Sequence, residues 1–119
     1  MNDSQVTLQK IKETVAQFVR ERDWEQFHTP KNLSMFIAME AAELMEPFVC
    51  ANELDQAGIL EKKREAIEDE VSDVLLVLFA FANACNIDVA TAFERKMKKN
   101  RAKYPIELAK GSSKKYTEL

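Results

Sequence analysis

Nine consecutive apolar residues, Val74 to Ala82, run through a chain that holds only two glycines and three prolines in 119 residues. With so little turn material, long helices are expected. A helix that is apolar on all sides is buried all round. A domain of this size has too few helices to wrap another completely, so the run also predicts burial against a second subunit. Nine residues are too few to span a bilayer, which takes about 20. The expected fold is all-α, in a single domain over residues 1–119.

Helix boundaries follow from the apolar period and the few breakers. A first helix from about Thr7 to Glu21 carries Leu8, Ile11, Val15, Phe18 and Val19 as its stripe. Arg22 to His28 breaks that period and is dense in aromatic and polar groups. Thr29-Pro30 predicts a helix start, with Thr as N-cap and Pro in the first position. This helix runs to about Met45 and ends at Pro47. Val49 to Gly58 reads as a loop or a short helical piece, broken by Asn52 and Gly58. The next helix is expected from Ile59 or Leu60 to about Cys85, closed by Asn86. Asp88 caps a last helix, Val89 to Lys103, with Val89, Phe93 and Met97 as stripe and Lys96 and Asn100 on the same face. Tyr104-Pro105 stops it, and a basic tail from about 105 to 119 either stays disordered or folds over a ligand.

Two of these helices carry paired acids, Glu40-x-x-Glu43 and Glu70-x-x-Asp73, with 26 residues between the pairs. Residues three apart share a helix face. At roughly 100° per residue, Leu33, Phe36, Ile37 and Leu44 set the apolar face of the first, and Glu40 falls inside it with Glu43 at its edge. In the second, Ile67, Val71, Val74, Leu78 and Phe81 set the face; Glu70 falls on it and Asp73 at its margin. A buried carboxylate is costly unless paired or metal-bound. Two helices breaking the same rule in the same way point to a shared cation. A solvated acidic face and ion pairs to Lys or Arg are the plainer alternatives, and Glu65, Glu68 and Asp69, off the core stripe, fit the first.

Charge is unevenly spread. Residues 1–90 hold 8 basic and 17 acidic residues, and residues 91–119 hold 9 basic and 3 acidic. An acidic body with a basic arm suits a cation held by acids and an anionic ligand held by Lys and Arg. It speaks against nucleic-acid binding by the whole surface. Cys50 and Cys85 have no zinc spacing, and the single His28 excludes a His-rich metal site. The polar start Met1-Asn2-Asp3-Ser4 shows no signal-peptide pattern. The expectation is a reduced, cytoplasmic protein that engages neither membrane nor nucleic acid.

Carboxylates without His or Cys select hard cations, Mg²⁺ or Mn²⁺. Mg²⁺ with few protein ligands shares its coordination with substrate phosphates. Lys96, Asn100 and Lys103 can then offset the remaining charge of a polyphosphate. The reaction class that follows is metal-assisted hydrolysis of a phosphoanhydride. No GxxxxGK[ST] loop is present, so a P-loop enzyme is excluded. A di-iron bundle would need Glu-x-x-His motifs, and neither pair is followed by His. Trp24, Phe27 and His28 can meet a base, or Trp24 and Phe27 can form a small satellite core.

The motif Glu40-x-x-Glu43 with Glu70-x-x-Asp73 resembles the ExxE…ExxD signature of the all-α nucleoside triphosphate pyrophosphatase superfamily, which includes MazG-like proteins and dimeric dUTPases. The chain looks most like the dCTP pyrophosphatase branch. Glu21 to His28 with Pro30 and Asn32-Leu33, then Asn100-Arg101, Lys103-Tyr104-Pro105, and the tail Ser112-Ser113-x-Lys115-Tyr116-Thr117-Glu118-Leu119 carry that likeness over nearly the whole chain. The resemblance implies a MazG-like bundle of four to five helices, assembled as a homotetramer, a dimer of dimers. It implies Mg²⁺-dependent cleavage between the α- and β-phosphates, with Glu40, Glu43, Glu70 and Asp73 as metal ligands. Trp24 and His28 would line the base and sugar pocket. Asn100, Lys103 and Tyr104 would meet sugar or phosphates, and Lys115-Tyr116 would close over a neighbouring site. One carboxylate, or Glu46 one turn on, would position the attacking water. The chain departs from the animal enzymes of that branch twice. It reads Phe48-Val49-Cys50 where they carry Trp, and Val77 where they carry Tyr. A broad (d)NTP pyrophosphatase and a non-enzymatic helical binding module stand as the other readings.

Overall fold

The computed structural model describes residues 1–119 and contains no strand. Six α-helices follow in order: α1 (Leu8–Arg20), α2 (Pro30–Met45), α3 (Gln56–Lys62), α4 (Arg64–Ala84), α5 (Val89–Lys103) and α6 (Ile106–Ala109). Short 3-10 turns cover Glu25–Phe27, Glu46–Phe48, Glu53–Asp55 and Tyr116–Glu118. The all-α class is as expected, with six helices where four to five were expected. The chain forms two compact units, Met1–Asn86 and Ile87–Leu119.

In the first unit, α1 and α2 pack on α4. Val15 and Val19 of α1, Leu33 of α2, and Ile67, Val77, Phe79, Ala80 and Ala82 of α4 are buried. Leu33 is wholly enclosed at 0% exposure, and burying such a side chain contributes about 1.5–3 kcal/mol. Both helix starts are capped as the residue types dictate. The Thr7 hydroxyl accepts the Lys10 N–H, and the Thr29 hydroxyl accepts the Asn32 N–H at 3.2 Å ahead of Pro30. Asn86 ends α4 in the left-handed region (φ 52°), which Asn tolerates better than most residues.

Two sequence expectations need correction here. The helix expected from Ile59 or Leu60 to Cys85 is two helices. Lys63 (φ −113°, ψ 21°) leaves the helical basin and closes α3 by donating its N–H to the Ile59 carbonyl. Its own carbonyl then accepts the Ile67 N–H at the start of α4. No Gly or Pro marks this break. It sends α3 back against α4 and the 3-10 turn at Glu46–Phe48, which half-buries Ile59. The core stripes also differ. Phe36, Val71 and Leu78, expected inside, are exposed. α1, α2 and α3 pack on α4, yet Val71, Leu75 and Leu78, at helical spacing on one face, remain exposed.

The second unit is built on α5. The Asp88 carboxylate accepts the Thr91 N–H at 2.8 Å, as expected for an N-cap. Phe93, expected in the stripe, is 65% exposed, and α5 buries no residue fully. The tail, expected to stay disordered or to fold over a ligand, is folded. After Pro105 it forms α6, turns at Gly111 (φ 75°), and returns so that Tyr116 meets Tyr104 edge-on, with ring centres 6.0 Å apart. The Lys103 ammonium sits 4.6 Å from the Tyr116 ring centre, a cation–π contact. No single helix of the chain is long and apolar enough to cross a membrane.

Candidate active site

Packing of α2 on α4 brings three carboxylates together. Glu40 and Glu43, one turn apart on α2, and Glu70 on α4 each offer an oxygen within 4.8 Å of the others. Glu40 and Glu70 are half-buried, as their places on the apolar faces require, and Glu43 is exposed. Asp73, one turn beyond Glu70, is exposed and lies outside this set of three. Its charge nevertheless acts on both Glu40 and Glu70.

The electrostatics are those of uncompensated like charges. Burial, then the charge of Glu43 and a hydrogen bond with it, then Asp73 and Glu70 hold the Glu40 carboxyl above the ordinary carboxylate range. Desolvation, then the charges of Glu43, Asp73, Glu46 and Asp69, raise Glu70 in the same direction. Both causes disfavour the ionised form. No basic side chain relieves them. The ion pairs Arg22–Glu21, Arg64–Glu68 and Lys98–Glu94 leave the clustered acids aside. The Oε2 atom of Glu70 is buried with no hydrogen-bond partner. An orphaned oxygen among convergent carboxylates is a donor set suited to a hard divalent cation. The ion-pair alternative therefore finds no support in the geometry.

Beside the cluster opens a cavity of about 670 Å³, bordered by Glu43, Glu46, Lys62, Lys63, Asp69 and Glu70 among others. Glu46, expected one turn beyond the first pair, is on its wall. Lys62, Lys63 and Asp69 were missed as site residues. Asp69 lies off the core stripe of its helix, and Lys62 and Lys63 sit at a break that no Gly or Pro marks.

A second cavity, about 460 Å³, opens further along α4 in the same unit. Val15, Val19 and Ala80 supply apolar wall, and Arg20, Glu25, His28 and Asn83 supply polar groups. His28 is half-buried, burial lowers its pKa, and its Nδ1 is buried without a partner. Trp24, expected to share a pocket with His28, stands next to it with ring centres 6.2 Å apart, but it does not line this cavity. Its ring packs on the edge of Phe18 at 5.7 Å, while Phe27 is 57% exposed. Trp24 thus belongs in part to the satellite core, and Phe27 does not. Arg20, Glu25 and Asn83 were not anticipated, since nothing in their local spacing separates them from ordinary surface polar groups.

The remaining expected residues lie in the second unit. Lys103, Tyr104 and Tyr116 form one cluster through the ring contacts described above. Lys96 is exposed and Asn100 half-buried on α5, and Lys115 leads into the last 3-10 turn.

The MazG-like family matches residues 35–119. dCTP pyrophosphatase 1 of Homo sapiens is 44% identical over 115 residues, which span 95% of this chain and 68% of that protein. dCTP pyrophosphatase 1 of Bos taurus is 41% identical over 118 residues, 98% of this chain and 70% of that protein. The crystal structure of a pyrophosphatase from Archaeoglobus fulgidus superimposes with a TM-score of 0.79 at 32% identity, covering 88% of this chain and 98% of that one. The chain belongs to the MazG-like family, as a hydrolase of the nucleoside triphosphate pyrophosphatase class. Its first unit carries a cluster of three carboxylates, Glu40, Glu43 and Glu70, placed so that they could hold a metal ion.

Proposed function

We propose that this protein hydrolyses the α–β phosphoanhydride of deoxynucleoside triphosphates, with dCTP or related pyrimidine nucleotides favoured, and releases nucleoside monophosphate and pyrophosphate. The observation that carries the reading is the partnerless Glu70 oxygen within the cluster of Glu40, Glu43 and Glu70. Those three and Asp73 are the metal ligands in this reading, for Mg²⁺ with Mn²⁺ as substitute. A divalent ion held there polarises the phosphoryl oxygens. The protein's own part is to gather the acids, to orient the phosphate chain, and to take a proton from the attacking water. Glu46, on the cavity wall, or one of the clustered carboxylates is the candidate base.

The cavity at His28 takes the base and sugar, with Trp24 at its margin. Lys96, Asn100, Lys103, Tyr104, Lys115 and Tyr116 serve the sugar and phosphates. The open apolar face of Val71, Leu75 and Leu78 supports assembly with further copies, in a homotetramer built as a dimer of dimers. The cellular role we infer is cytoplasmic cleaning of the nucleotide pool. One observation favours a broader (d)NTP substrate range. Val77 carries no ring, and the segment Phe48-Val49-Cys50 carries no tryptophan, so two aromatic groups that could clamp a base are missing.

The test is a product assay with each common dNTP and NTP in Mg²⁺, nucleotides being separated by chromatography. Monophosphate plus pyrophosphate from pyrimidine deoxynucleotides is the expected result. Diphosphate plus orthophosphate overturns the bond assignment, and equal turnover of all substrates establishes the broader reading.

A further inference from the structure

The cavity beside the carboxylate cluster carries charges of the opposite sign on its wall. Glu43 and Glu70 belong both to the three-acid cluster and to this wall, so a molecule in the cavity can reach an ion held by the cluster. Lys62 and Lys63 border the same space. Lys62 is the last residue of α3, and Lys63 is where the chain leaves the helical basin before α4. Neighbours in an unbroken helix point about 100° apart; the break lets two consecutive lysines border one cavity. Glu46, Glu65 and Asp69 stand on that wall too, yet neither lysine forms an ion pair with them. Both ammonium groups are exposed and open to an anion.

Order along α4 decides which part of a nucleotide meets them. Ala80 and Asn83 line the His28 cavity, Glu70 belongs to the cluster, and Lys63 precedes the first residue of the helix. Along the axis Glu70 lies about 15 Å from Ala80 and about 10 Å, in the opposite direction, from Lys63. A nucleotide with its base at His28 and its phosphates at the acids therefore points its free end past the ion toward Lys62 and Lys63.

We propose that Lys62 and Lys63 bind the two terminal phosphates of the substrate, the part that leaves as pyrophosphate; this rests on the pyrophosphohydrolase reading and the base-pocket assignment above. Three ionised carboxylates outweigh the charge of one divalent ion, so the ion by itself leaves the phosphate chain facing net negative charge. Two ammonium groups beyond it supply charge-assisted hydrogen bonds to the β- and γ-oxygens. As water bonds to the α-phosphorus, its proton passes to the base, and the bridging oxygen departs with the bonding electrons on pyrophosphate. The added charge falls beside the two lysines. The monophosphate product lacks both terminal phosphates and has no hold on them.

The experiment is calorimetric binding of inorganic pyrophosphate and of dCMP, each with Mg²⁺, to the wild type and to the double variant Lys62→Gln/Lys63→Gln. Pyrophosphate binding should weaken by about 10- to 100-fold, the range for losing hydrogen bonds to a charged group, while dCMP binding stays unchanged. Lys62→Arg/Lys63→Arg should restore it. Equal weakening of both ligands would show a general charge effect and overturn the proposal, as would unchanged pyrophosphate binding. Should the double variant fail to fold, acetylation of the wild-type lysines read by mass spectrometry gives the same answer. Pyrophosphate with Mg²⁺ should protect Lys62 and Lys63, and dCMP should not; unaltered labelling refutes the assignment. Turnover of dNTPs by the wild type is scored separately. Hydrolysis to monophosphate and pyrophosphate with no role for the lysines sinks this inference alone, whereas absence of both pyrophosphate binding and hydrolysis sinks the functional reading with it.

Discussion

Glu40 and Glu70 stand thirty residues apart in the chain, yet each presents a carboxylate oxygen within 4.8 Å of the other and of Glu43. The approach is imposed by the packing of α2 on α4, and no lysine or arginine shares it. The folded chain thus carries a repulsion that a cation removes. Glu40→Gln or Glu70→Gln keeps the shape and deletes a ligand. Each is expected to abolish Mg²⁺ binding by calorimetry and to lower kcat by about 10²–10³, the usual effect of losing one electrostatic stabiliser of the transition state. Full activity in either variant would remove the cluster from the mechanism.

The raised carboxyls of Glu40 and Glu70 give the metal-free protein a definite pH response. Their native pKa values lie above the unfolded ones, so the native state keeps protons that the unfolded chain has released. Their contribution is fully present below the unfolded carboxylate pKa and is lost as pH rises through the native values. Thermal melts without metal should show this contribution falling from about pH 4 toward neutrality, and Glu40→Gln should flatten the slope. Mg²⁺ at a hundred times its Kd should restore about 2.7 kcal/mol, and less at acid pH, where protons compete for the same oxygens.

Leu33 is the anchor between α2 and the rest of the first unit. It has no exposed surface, so Leu33→Ala leaves a void that the helices cannot close. A loss of about 2–5 kcal/mol is expected in urea unfolding, with the midpoint moving and the slope unchanged. A loss below that range would show that α2 relaxes onto α4.

Val71, Leu75 and Leu78 expose 52%, 40% and 44% of their surface along one side of α4. If copies of the chain cover this face, Leu75→Glu with Leu78→Glu should shift sedimentation to a smaller species while leaving the helical circular dichroism in place. An unchanged sedimentation coefficient would assign the open face to another contact.

Much of the first unit was legible because its signals are local. Thr29-Pro30 names its own helix start, as Asp88 does in the second unit, since a capping oxygen and a donor-free first residue act within one turn. Glu40 and Glu70 were legible as site residues for a related reason: acids on apolar faces violate burial rules that hold for any helix. The break at Lys63 was not legible. Glu61 to Glu65 are all helix-compatible residues, and the break is set by how α3 packs on α4 and on the Glu46–Phe48 turn. The exposed faces of Phe36, Val71 and Leu78 were misplaced because a wheel shows which residues are apolar, without showing which neighbour arrives to cover them.

The sequence by itself determined the all-α class, most helix boundaries and the identity of the clustered acids, because capping, periodicity and the cost of buried charge operate over a few residues. Only the tertiary structure decided that Glu40, Glu43 and Glu70 converge across two helices, and that Asn83 donates to the Lys12 carbonyl at the wall of a cavity. Those relations depend on the docking of α1 and α2 against α4. Docking angle and depth are set by side chains far apart in the chain, and no local rule reads them.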